Sequence, residues 1–432
     1  MSRSHAVLAA VLTLLAAAVA AVLSAPAASA ASLVQVTNFG YNPTNLGMYL
    51  YVPNNVAANP AIVVAVHQCT ASGPGFYSGT QFASLADQYG FIVIYPSATR
   101  SGSCFDVSTA QALTHNGSSD PAGIVSMVDH VEQHNHGDPG RVYVTGASSG
   151  GMMTDVLLGD YPDVFKAGAA FMGVPSGCFA TTDPSMWNNQ CANGQLTKTP
   201  QAWGDLVRAA DPGYVGPRPR VQLWHGTADP TLNYLNFGEE IKQWTNVLGV
   251  SQTPSSTDTP QSGWTRTRYL DSSGTVQVEA YSIAGVGHTL PLAGMAAYAI
   301  QFFGLTGSMP PPTTTTTGST TTTSPPPSSG ACRVTDVISA WNTGLTAAIT
   351  VTNTGSATIN GWSLVFTLPS GQTITSGWNA TYAPASGRVT ATNASYNAAI
   401  APGTSVSIGF QANQTGNAGA PPSFTLNSAA CS

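Results

Sequence analysis

Two hydrophobic rhythms divide the chain. In its first two thirds, short continuous apolar runs alternate with stretches whose apolar residues recur at helical spacing. The runs are 61–67 (AIVVAVH), 91–95 (FIVIY), 142–145 (VYVT), 167–172 and 221–224. Val-rich runs without polar alternation predict parallel strands buried on both faces. The stretches between them, such as 121–134, 152–158 and 235–248, read as amphipathic helices. Glu239 and Glu240 come early in the last of these and Lys242 later. A further strand at 276–282 precedes a final helix. Strand–helix alternation of this kind predicts βαβ units and an α/β three-layer sandwich.

After residue 330 the period becomes two. Segments 349–352, 362–368 and 406–410 alternate apolar and small polar residues. Turn formers such as Asn353-Thr354-Gly355, Pro369-Ser370-Gly371 and Pro402-Gly403 punctuate them. Helix signals are missing, and a small all-β sandwich is expected. Trp362 shares its alternating strand with Leu364 and Phe366 and reads as core. Between the two patterns, 307–330 is almost wholly Pro, Thr, Ser and Gly, which cannot bury a core and makes a semi-rigid spacer. At the other end, Arg3 and His5 precede an apolar run at 7–23 and a small-residue site, Ala28-Ser29-Ala30. That is an export signal, favoured over a membrane anchor because the run is Ala-rich and ends in a cleavage pattern. The expected divisions are therefore 1–30 signal peptide, 31–306 α/β domain, 307–330 linker and 331–432 β domain.

Composition narrows the partners. Only 7% of residues are charged, net charge is −6, and no basic run occurs. Nucleic acid is thereby excluded as a partner, since phosphate neutralisation needs clustered Lys and Arg. No later stretch suits a bilayer, so the mature chain is expected to be soluble, secreted and monomeric. A polar but uncharged surface suits neutral polysaccharide. Six cysteines in an exported chain permit three disulfides. Cys332 and Cys431 bracket the β domain. Within the α/β domain several connectivities remain open, and the pairing favoured is Cys178 with Cys191, a short loop closure, and Cys69 with Cys104. No CxxC or HExxH spacing supports a catalytic thiol or zinc site instead.

The chemistry centres on Gly146-Ala147-Ser148-Ser149-Gly150. This GxSxG follows a predicted strand and opens a helix near Met152, the context of a nucleophile elbow. A serine nucleophile needs a base, and the base an orienting carboxylate. Downstream, the only histidines are His225 and His288. Asp229, in the loop after strand 221–224, is the candidate acid, and His288, in Gly285-Val286-Gly287-His288, the candidate base. His225 reads as a structural histidine packing its loop. The oxyanion hole is expected from backbone amides of Ser149 and of Cys69, just past strand 61–67, with Gln68 the runner-up.

Residues 34–303 resemble acetylxylan esterases of carbohydrate esterase family 1 and the related feruloyl esterases and polyhydroxyalkanoate depolymerases. The resemblance rests on His67 to Gly75 (HQCTASGPG), Cys104 to Asp106 (CFD), Leu113 to Gly117 (LTHNG), the GxSxG, Gly173 to Cys178 (GVPSGC), Trp224 to Asp229 (WHGTAD) and Gly285 to His288 (GVGH). It implies an α/β-hydrolase fold with Ser148, Asp229 and His288 as nucleophile, acid and base, acetylated xylan as substrate, and no metal or organic cofactor. Gln68 departs from the Gly common in the broader group.

The C-terminal segment resembles family 2 carbohydrate-binding modules. The matching residues include Cys332 and Cys431, Asn360-Gly361-Trp362, Gly377-Trp378-Asn379 and Gly409-Phe410-Gln411. The resemblance implies a flat aromatic strip, here Trp341, Trp378 and Tyr396, stacking on sugar faces. Gly344, at its spacing from Trp341, implies cellulose as the anchoring surface, and Tyr396 stands where a third Trp is usual. The rival functions are a feruloyl esterase or polyester depolymerase on the same scaffold, and a binding protein that has lost catalysis; an intact Ser, Asp and His in order argues against the last.

Overall fold

The computed structural model describes residues 31–292, 294–306, 332–341, 344–394 and 397–431. The expected signal peptide and the linker 307–330 lie outside the described residues.

The α/β domain is built on a 10-stranded sheet. Its strands are β1 (Val34–Val36), β2 (Gly47–Tyr51), β3 (Ile62–Val66), β4 (Ile92–Ser97), β5 (Val142–Ala147), β6 (Ala167–Phe171), β7 (Arg220–Gly226), β8 (Ser256–Asp258), β9 (Trp264–Leu270) and β10 (Val276–Ile283). Their order is β1-β2-β4-β3-β5-β6-β7-β10-β9-β8. The stretch from β4 to β10 is parallel throughout. In β3, Ile62, Val64 and Val66 enter one core while Val63 and Ala65 enter the other. Double-sided burial is why these runs lack polar alternation, and each fully buried Val or Ile contributes roughly 1.5–3 kcal/mol.

Helices close both faces. Asp120–Asn135, Ser149–Asp160, Pro200–Ala210 and Leu235–Val247 supply one core, and Phe82–Tyr89 with Met295–Phe302 the other. This is the three-layer α/β-hydrolase arrangement. Two features differ from the sequence expectation. The sheet is mixed, because β1, β2, β8 and β9 join antiparallel at the edges. Edge strands meet solvent, and in Trp264–Leu270 only Trp264 and Tyr269 are buried, while Thr265 is exposed and Arg266, Thr267 and Arg268 are half-buried. The helix after Ser148 begins at Ser149 and is buried at every position rather than amphipathic. It is covered by the sheet and by neighbouring helices, so Thr154, Asp155 and Asp160 all lie inside.

The β domain contains a four-stranded antiparallel sheet (Cys332–Trp341, Gly344–Asn353, Ser405–Asn413, Thr373–Trp378) and a five-stranded one (Ala380–Ala383, Arg388–Asn393, Ser363–Thr367, Phe424–Leu426, Ala429–Ala430). Leu345, Ile349, Val351, Leu364, Phe366 and Phe410 fill the space between them. Trp362 is 1% exposed and donates its indole N–H to the Asn397 carbonyl at 2.8 Å. The Cys332–Cys431 disulfide joins the two ends of the domain.

Candidate active site

Ser148 sits where β5 ends and the Ser149–Asp160 helix begins. Its φ of 55° and ψ of −116° lie where side-chain-bearing residues are rare, at a cost of about 1–3 kcal/mol. The turn is held by the Ser148 N–H, which donates to the Phe171 carbonyl at 2.9 Å. Glycine is obligatory on both sides. A Cβ on Gly146 would stand 2.3 Å from the Gly150 carbonyl oxygen, and one on Gly150 would stand 2.1 Å from that of Val66. The result is a hydroxyl presented at the carboxyl end of the sheet, over a helix N-terminus that favours negative charge.

Two loops from adjacent parallel strands meet this hydroxyl. The loop after β10 carries His288, whose Nε2 lies 2.8 Å from Ser148 Oγ. The loop after β7 carries Asp229, whose Oδ2 lies 2.6 Å from His288 Nδ1. Asp229 Oδ1 accepts from the amides of Thr231 and Leu232 at 2.8 and 2.9 Å. The loops touch directly: the Ala228 N–H donates to the Val286 carbonyl at 3.0 Å. Burial alone would raise the Asp229 carboxyl, but hydrogen bonds from His225, His288, Leu232 and Thr231 overcome it and hold the group well below the ordinary carboxylate range. Asp229 is therefore ionised at neutral pH, and its charge faces the Nδ1 side of His288.

Beside the serine, Cys69 lies in the loop after β3, pinned by the Cys69–Cys104 disulfide and by the Thr70 N–H donating to the Gly102 carbonyl at 2.8 Å. Ser149 is the first residue of the helix, and its hydroxyl reaches the His67 carbonyl at 3.5 Å. The second disulfide of the domain joins Cys178 to Cys191.

Two histidines complete the surroundings in ways the sequence did not announce. His67 accepts the Ala98 N–H at Nε2, 3.1 Å away, and its Nδ1 lies 2.6 Å from the Gln68 carbonyl. Accepting at one nitrogen and donating at the other, it is a neutral brace for the loop holding Cys69, and burial pushes its pKa down in the same direction. His225 reaches Leu232 and Asp229 from inside. The only sequence signal was position: each histidine ends, or nearly ends, a central parallel strand next to a functional loop. In the β domain, Trp341 and Trp378 end strands, but their side chains lie outside the described residues, as does Tyr396 entirely.

This geometry has known counterparts. Residues 46–186 match the esterase family of PHB depolymerases. Feruloyl esterase B of Talaromyces stipitatus is 50% identical over 285 residues, covering 65% of this chain and 78% of that protein. Acetylxylan esterase A of Aspergillus ficuum is 47% identical over 268 residues, covering 61% of this chain and 87% of its own length. The chain belongs to this esterase family. The solved structure of acetyl xylan esterase from Aspergillus awamori superposes on the esterase with a TM-score of 0.60 at 44% identity, covering 63% of this chain and 99% of that one. Residues 332–431 match the cellulose binding domain family. The esterase is thus a carboxylic ester hydrolase carrying a C-terminal module of a cellulose-binding family.

Proposed function

We propose that the esterase removes acyl groups from xylan by two-step acyl transfer. His288 takes the proton of Ser148 as the hydroxyl attacks the ester carbonyl, and Asp229 holds the imidazole with Nδ1 protonated and stabilises the imidazolium. The amides of Cys69 and Ser149 receive the oxyanion; among the described residues neither amide is engaged in a backbone hydrogen bond. The sugar hydroxyl leaves with the proton from His288, and water then releases the acid through the same relay. The observation that carries this is the continuous contact from Asp229 through His288 to Ser148, at 2.6 and 2.8 Å.

Acetylated xylan is the substrate we favour. Its support is the run of relatives named acetylxylan esterase A and the match of the second domain to a cellulose-binding family, since xylan and cellulose lie together in cell walls. A feruloyl ester is the second reading, supported by the 50% identity to a protein named feruloyl esterase B. The export pattern at 1–30 and three disulfides support secretion. Rates on acetylated xylan and on methyl ferulate, measured side by side, decide the acyl group. Faster acetate release is expected, and negligible acetate release with rapid ferulate release would overturn it.

A further inference from the structure

His225 is a fully buried imidazole at the end of β7, pressed against the acid of the site. Its Nε2 lies 2.9 Å from the Leu232 carbonyl oxygen and 3.4 Å from Asp229 Oδ2. The carbonyl can only accept, so Nε2 carries the proton. Its Nδ1 is buried and has no hydrogen-bond partner among the described residues. A proton there would be an unsatisfied buried donor, so the ring donates through Nε2.

We infer that His225 is a positioning residue for the acid: its Nε2–H locks the Asp229–Leu232 turn through the Leu232 carbonyl and shares the Asp229 Oδ2 charge with His288. The inference rests on the acyl-transfer roles proposed above. Asp229 Oδ1 is already committed to the amides of Thr231 and Leu232. Oδ2 is therefore the oxygen that sees two imidazoles, His288 at 2.6 Å and His225 at 3.4 Å. The shorter contact orients the base; the longer one moderates how strongly the carboxylate draws the proton of His288. Among the described residues, the ion pairs of His225 and Asp229 are those with each other and, for Asp229, with His288. Tyr234 and Phe237 approach the His225 ring at 6.0 and 6.2 Å, and the Tyr234 hydroxyl is bonded to Ser282 Oγ at 2.7 Å. On the β10 side the titratable neighbour is His288 itself.

Removing the His225 donor leaves Oδ2 more basic toward His288, which stabilises the imidazolium. The acid limb of the kcat/KM profile then moves to higher pH, because a base that holds its proton longer is inactive over a wider acidic range. The experiment compares wild type, His225→Leu and His225→Gln with 4-nitrophenyl acetate from pH 4 to 9. Leu removes the N–H; Gln returns one near the position of Nε2. With Leu, the acid limb is expected to rise by roughly half a pH unit and kcat to fall with KM little changed. Gln is expected to restore the wild-type limb. An unchanged or lowered limb in both variants overturns the inference and leaves His225 a packing residue. Should His225→Leu not fold, His225→Asn, whose amide is too short to reach Oδ2, is expected to raise the limb in the same way, and an unchanged limb there overturns it equally. Ser148→Ala is run in parallel: full turnover in that variant would sink the acyl-transfer roles themselves, a failure distinct from that of His225.

Discussion

Ser148 and His288 are 140 residues apart in the chain and 2.8 Å apart in the fold. Only the side-by-side placement of β5, β6, β7 and β10 brings them together. The contact gives the first prediction. Ser148→Ala is expected to reduce 4-nitrophenyl acetate turnover to background. Asp229→Asn keeps the shape but loses the charge that favours the Nδ1–H tautomer, and kcat is expected to drop by about 10⁴ with KM little altered. Equal turnover by wild type and Ser148→Ala would leave the fold without its chemistry.

The seam between the two loops gives a second. A Cβ on Gly226 would stand 2.2 Å from the Val286 carbonyl oxygen and 2.8 Å from that of Gly287. The loop bearing His288 must retreat to make room. Gly226→Ala is expected to lower stability by about 1–3 kcal/mol, as overpacking does, and to cost kcat disproportionately because a small displacement separates imidazole from hydroxyl. Urea midpoints and kcat measured together check this; a variant with unchanged kcat would show that the loops tolerate separation.

The parallel strands and the residues at their ends were legible because one physical cause acts on both. Burial on two faces forces Val-rich runs such as 61–67, and the fold brings the carboxyl ends of those runs together, so Ser148, Asp229 and His288 could be picked from order and context. The antiparallel edges were not legible: strand Trp264–Leu270 alternates too weakly, with Arg266 and Arg268 half-buried by pairing with Asp258 and Glu279. Nor was the burial of Asp155 legible, since its burial depends on neighbours far along the chain. His225 read as packing because its contact to Asp229 lies within a loop whose shape local pattern does not determine.

The β domain yields a third prediction, argued from sequence position. The indole of Trp378 is one of three aromatics expected to stack on the apolar C–H faces of sugars, as on any exposed aromatic plane. Trp378→Ala in the full chain is expected to weaken pull-down on crystalline cellulose by at least tenfold while leaving soluble-ester turnover intact. Cellulose binding equal to wild type would remove Trp378 from the strip.

Asp155 of the Ser149–Asp160 helix and Glu240 of the Leu235–Val247 helix are both fully buried, and among the described residues no cation pairs with either. Trp244 donates its indole N–H to Asp155 Oδ1 at 2.6 Å. Gly173 leaves the space for both groups: a Cβ there would stand 2.6 Å from Glu240 Oε1 and 2.9 Å from Asp155 Oδ2. Burial raises both carboxyls, and the nearness of Asp155 raises Glu240 further, so the pair retains a proton where exposed carboxyls have lost theirs. The folded state then binds more protons than the unfolded one between the ordinary carboxylate range, near 4, and the elevated folded values. Stability contributed by the pair is complete below that range and declines as pH rises through the elevated folded values. Asp229 acts in the opposite sense: its lowered carboxyl contributes stability above the ordinary range, lost as pH falls through the folded value. Glu240→Gln keeps the size and supplies a permanent donor to Asp155 Oδ2. Thermal midpoints measured from about pH 5 to 9 should fall with pH in the wild type and fall less steeply in Glu240→Gln. Parallel curves would mean that the two carboxyls share no proton in the folded protein.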